Sequence, residues 1–113
     1  MKNKTITAFS NKLGVPTRET KKALAWDITS GFGVVVQIDQ PSTGEYALVW
    51  LPHNIDALEE LSCDKVLYPE EKGRHSNTYA SPGLKRGDAA IRAKIKTEHE
   101  LNELLNFLFG PFY

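Results

Sequence analysis

Ala89-Ala90-Ile91-Arg92-Ala93-Lys94-Ile95-Lys96-Thr97-Glu98-His99-Glu100-Leu101-Asn102-Glu103-Leu104-Leu105-Asn106-Phe107-Leu108 changes its period once, at Thr97. Before that point apolar and charged residues alternate. Ala89, Ile91, Ala93 and Ile95 fall on one side, and Arg92, Lys94 and Lys96 on the other. A period of two is that of a half-buried strand. After Thr97 the period becomes helical, with Leu101, Leu104, Leu105 and Leu108 on one stripe. Thr97 with Glu100 three residues on is a capping box. The hydroxyl accepts from the free N–H groups of the first turn while the glutamate reaches back. Gly110-Pro111 ends the helix, because glycine takes the left-handed cap and proline cannot continue the ladder. A strand running straight into a capped amphipathic helix sets the class as α+β.

Working outward from this ending, the rest of the chain supplies more strands. Ala23–Ile28, Phe32–Asp39 and Glu45–Leu51 are strand candidates, separated by turns at Thr29-Ser30-Gly31 and at Gln40-Pro41-Ser42-Thr43-Gly44. The second and third carry apolar groups on both sides, which places them centrally or under cover on both faces. Lys65–Tyr68 is a further short strand. Residues 4–13 predict an N-terminal helix from Ile6, Phe9 and Leu13, stopped by Gly14 and Pro16. Asn54 predicts the N-cap of a short middle helix carrying Ile55, Leu58 and Leu61. Thr17–Lys22 is polar and reads as irregular. The expected fold is a small antiparallel sheet of three to five strands, with an N-terminal, a short middle and a C-terminal helix on one face.

The chain has 113 residues, 41% hydrophobic and 25% charged. That length supports one core, burying about two-thirds of the unfolded surface, so residues 1–113 are read as a single domain. No apolar run approaches the ~20 residues of a membrane span. The basic start, Met1-Lys2-Asn3-Lys4, has no apolar block behind it and does not read as a signal peptide. A single cysteine makes no internal disulfide and suits a reducing, cytoplasmic setting.

Lys+Arg 14 against Asp+Glu 14 cancels overall, yet the charges are sorted along the chain. Residues 1–22 and 72–96 are basic, whereas residues 53–71 and the last helix are acidic. The row Arg92, Lys94, Lys96 spans about 13 Å along one strand face. Nucleic-acid duplex carries about one charge per 1.7 Å, so such a row faces several phosphates. Lysines on an exposed strand face also keep sheets soluble, and the acidic segments could pair with them. Upstream, Pro69–Gly87 is long for a loop without structure of its own. Arg74, His75, Asn77, Lys85 and Arg86 in it join the strand cations as expected ligand contacts.

Catalytic patterns are sparse. Glu70-Glu71-Lys72 with Asp64 has the residue types of a Mg²⁺-dependent nuclease, but the triplet follows Pro69 instead of ending a core strand. His53, His75 and His99 are scattered, and Cys63 stands at no metal-ligand spacing from them. Neither the dinucleotide nor the Gly-Lys-Ser/Thr phosphate loop occurs. The expectation is therefore a non-enzymatic binding module for a polyanion, above all nucleic acid, with no cofactor, no metal and no membrane. A second reading is a homodimer built on the apolar end, Phe107, Phe109, Phe112 and Tyr113, which the leucine stripe leaves without an evident place. A small metal-dependent nuclease or hydrolase is third.

Overall fold

The computed structural model describes residues 1–29, 32–39, 43–52, 59–68 and 89–110. Eight elements follow in chain order: α1 (Lys2–Leu13), β1 (Arg18–Glu19), β2 (Ala23–Thr29), β3 (Phe32–Gln37), β4 (Ala47–Pro52), β5 (Asp64–Tyr68), β6 (Ala90–Ile95) and α2 (Glu98–Phe109). The six strands form one antiparallel sheet in the order β1-β2-β3-β4-β6-β5. The chain is thus α+β, as its periodicities require, with one strand more than the most expected.

The extra strand is β1. Arg18 and Glu19 pair with Ala25 and Leu24, in a segment read as irregular. Its polarity carries no period of two. The pairing is secured by Thr20, whose hydroxyl accepts from the Lys22 and Ala23 amides at 3.2 and 3.1 Å while its own N–H donates to Ala23 O at 2.9 Å. A side chain that closes a turn on the backbone needs no apolar pattern to do so. The middle helix expected from Asn54 is not among the described elements. Most of it falls on residues 53–58, outside the described residues, and only the helical Glu59 and Glu60 and the buried Leu61 are seen. The turns at Ser30-Gly31 and Gln40–Ser42 also lie outside them, although Gly44 does adopt the left-handed φ of 75°.

Both described helices lie on one face of the sheet. The register puts Trp26 opposite Val34, Val36 opposite Val49, and Val49 opposite Ala93, so these side chains share a face. They form one core with Phe9 of α1 and Leu101, Leu104 and Leu105 of α2. The Phe9 ring stands 5.5 Å from Trp26 and 6.3 Å, edge-on, from Phe109. Trp26 Nε1 donates to Gly14 O at 3.0 Å, tying the end of α1 to β2. Thr5, not only the apolar Ile6, faces inward and is fully buried. Its hydroxyl donates to Met1 O one turn back, and the methyl is left to pack.

The capping box at Thr97 is complete. Thr97 Oγ1 accepts from Glu100 N at 3.2 Å, and the Glu100 carboxylate accepts from Thr97 N at 3.2 Å and from Lys96 N at 2.7 Å. Three leucines of the stripe are buried and Leu108 is half-buried. β3 and β4 are central and buried almost throughout, as two-sided apolar strands must be.

Candidate polyanion-binding face

β6 runs between β4 and β5. Its residues from Ala90 to Lys94 therefore have a cross-strand neighbour on both sides: Arg92 lies between Trp50 and Val66, and Lys94 between Leu48 and Asp64. The alternation that sends Ile91, Ala93 and Ile95 into the helix-covered core sends Arg92 and Lys94 to the opposite face. There the described residues form a second apolar cluster, Ala23, Ala25, Val35, Trp50 and Ala90, joined by the half-buried Tyr68, and neither helix contributes to it.

The cations on this face are seated on rings. The Arg92 guanidinium lies 5.6 Å from the Tyr68 ring centre and 6.0 Å from that of Trp50, and these two rings are 5.0 Å apart. The Lys94 ammonium lies 4.1 Å from the centre of Tyr46. Such contacts contribute about 0.5–1 kcal/mol when exposed and about 2 when desolvated. A free arginine or lysine carries about 2 kcal/mol of side-chain entropy, so ring contacts of this size offset much of the cost of holding the cation still. Trp50 itself is only 2% exposed, and its Nε1 donates to the buried Gln37 Oε1 at 3.0 Å. It serves as a fixed floor beneath Tyr68 and Arg92, and Tyr46, Tyr68, Arg92 and Lys94 are all half-buried.

Lys96, the third cation of the row, is engaged differently. Its Nζ donates to Asp64 Oδ2 at 2.8 Å. That bond holds the Asp64 carboxyl below the usual carboxylate range and raises the Lys96 ammonium above its ordinary value. Asp64 is thus a counter-ion at one end of the stripe. The remaining expected ligand contacts, Arg74, His75, Asn77, Lys85 and Arg86, lie outside the described residues, as do Glu70, Glu71, Lys72, Phe112 and Tyr113.

Tyr46, Tyr68 and Trp50 were not among the residues expected at the site. The alternation Tyr46, Leu48, Trp50 is visible in the sequence, but it does not tell that β6 pairs with β4. Gln37 carried no signal beyond being a polar residue at the end of an apolar strand.

At the other end of the chain, Phe107 and Phe109 are half-buried and pack against the helix-side core of their own subunit. An open groove of about 340 Å³, lined by Ala8, Asn11, Lys12 and Leu105, runs between α1 and α2. Cys63 is buried, and loss of solvation pushes its thiol up, away from the reactive thiolate. Among the described residues no group of three His, Cys, Asp or Glu side chains could hold a metal ion. Among them, too, no helix is long and apolar enough to cross a membrane. Compared with protein-family models, with curated proteins and with solved structures, the chain finds no match.

Proposed function

We propose that this protein is a small non-enzymatic binding module for a polyanion, nucleic acid before others, which it meets through the face of β6 opposite the helices. The observation that carries this reading is the placement of Arg92 and Lys94 side by side on that face, each resting on an aromatic ring. A guanidinium held against rings keeps its in-plane N–H donors for a phosphate fork. Lys94, about 7 Å further along the strand, supplies a second point charge. The basic loop residues Arg74, His75, Asn77, Lys85 and Arg86, which precede β6 in the chain, are proposed as further contacts to the same ligand.

Binding of this kind is dominated by counter-ion release. The affinity for nucleic acid is expected to fall steeply with salt, with a log–log slope near one unit per phosphate contact. Replacing Arg92 and Lys94 together by glutamine is expected to lower that slope by about two. Titration of a labelled oligonucleotide at several salt concentrations tests both. Salt-independent binding, or no binding at low salt, rules the reading out.

A homodimer through the C-terminus is the second reading. Its support is that Phe107, Leu108 and Phe109, although packed on the core, remain only half-buried at the end of α2.

A further inference from the structure

The cationic face pairs a ring with each charge, and this favours one kind of nucleic acid. We infer that its ligand is single-stranded nucleic acid, with the phosphates on Arg92 and Lys94 and the unpaired bases against Tyr46 and Tyr68; this rests on the polyanion reading above.

Three features lead there. First, the ammonium of Lys94 lies 4.1 Å from the Tyr46 ring centre and the guanidinium of Arg92 5.6 Å from that of Tyr68. A charge with an aromatic beside it is what one nucleotide requires, and here the unit occurs twice. Single strands bind through such alternation, because every base has a face to stack while the backbone follows the charges. A duplex hides its base faces and makes no use of the rings. Second, the cations are drawn in against the sheet. Arg92 and Lys94 are both half-buried, not extended as free arms. A ligand must come down to the strand surface to meet them, which a flexible single strand can do more readily than a stiff cylinder. Third, both described helices pack on the opposite face. Among the described residues this side offers strands and no helix to lay in a major groove.

The test uses the full chain at low salt, with a labelled DNA strand of mixed sequence, the same strand annealed to its complement, and inorganic polyphosphate. The single strand is expected to bind at least about tenfold more tightly than the duplex or polyphosphate. Tyr46→Leu should weaken the single strand by about fivefold or more, the loss of one stacked base, and weaken the other two probes clearly less, through the lost seat of Lys94 alone. Tyr46→Phe keeps the ring and should keep the affinity, which separates stacking from damage to the fold. Tyr68→Leu repeats the test at the second ring, and thermal unfolding of each variant checks that it is folded. Equal affinity for duplex or polyphosphate, or single-strand binding untouched by both leucine variants, overturns the inference while leaving polyanion binding in place. Absence of all binding at low salt, or binding that Arg92→Gln with Lys94→Gln does not weaken, overturns both.

Discussion

At the scale of single residues, Asp64 sets how much of the cationic row a ligand meets. It lies opposite Lys94 in register and bonds to Lys96 at 2.8 Å, so the end of the row is partly neutralised. Asp64→Asn is expected to strengthen polyanion binding about threefold or more at low salt and to steepen the salt dependence by up to about one unit. Unchanged or weaker binding would show that Lys96 lies outside the contact. The same carboxylate takes part in the response to acid. Hydrogen bonds from Lys96 to Asp64, from Lys4 to Glu98 and from Ser62 to Glu103 hold all three carboxyls below their ordinary values. The folded chain then binds fewer protons than the unfolded one through the carboxylate range. Their contribution is complete above that range and is lost as pH falls through the lowered folded values. Lys96 works the other way, since its raised value keeps its contribution complete below the ordinary lysine range and lets it go as pH rises through the folded value. Urea titrations across acid pH are expected to show stability falling with pH, and less steeply in a chain carrying Asp64→Asn and Glu98→Gln. An acid slope identical in that chain would place the proton uptake elsewhere.

At the scale of elements, α2 is the part whose energetics follow most directly from its residues. Glu100 accepts from two backbone amides, Lys96 N and Thr97 N, and donates its own N–H to the Thr97 hydroxyl, which satisfies donors that a helix start otherwise leaves open. Thr97→Ala is expected to cost about 1 kcal/mol. Leu104 has no exposed surface and stands in the core beneath the sheet, so Leu104→Ala is expected to cost about 2–5 kcal/mol, depending on how far the cavity collapses. Denaturant titration measures both, and a neutral Leu104→Ala would contradict the observed packing. The cap was readable because it is local: four consecutive residues and their hydrogen bonds. Strand β1 was not, because two polar residues become a strand only when Ala25 and Leu24 are beside them. The same holds for Tyr68, whose place beside Trp50 depends on β6 lying between their strands.

At the scale of the whole molecule, α1 and α2 meet on one side of the sheet. Phe9 of α1 touches Phe109 of α2 edge-on, Lys12 lies over the same ring at 5.7 Å, and Lys4 bonds to Glu98. Phe109 therefore has a role within its own subunit. Phe109→Ala is expected to lower the stability of the monomer by about 1–4 kcal/mol, below the full cost of a wholly buried ring because Phe109 is half-buried. Sedimentation at several concentrations, run alongside unfolding, separates this from the dimer reading. If the protein is a dimer and Phe109→Ala dissociates it without lowering the stability of the monomer, the ring serves the interface instead.

The residues by themselves determined the α+β class, the two terminal helices, the capping box at Thr97, the central place of β3 and β4, and the sharing of one strand face by Arg92 and Lys94. Each of these is a matter of period or short-range chemistry, expressed within a few residues. Tertiary structure alone decided the strand order, the sixth strand, the rings of Tyr46, Trp50 and Tyr68 around the two cations, and the capture of Lys96 by Asp64. The reason is physical: which strands become neighbours is settled by the competition of all apolar faces for one core. The partners of Arg92 come from two strands on either side of it, brought in by pairings that no local pattern encodes.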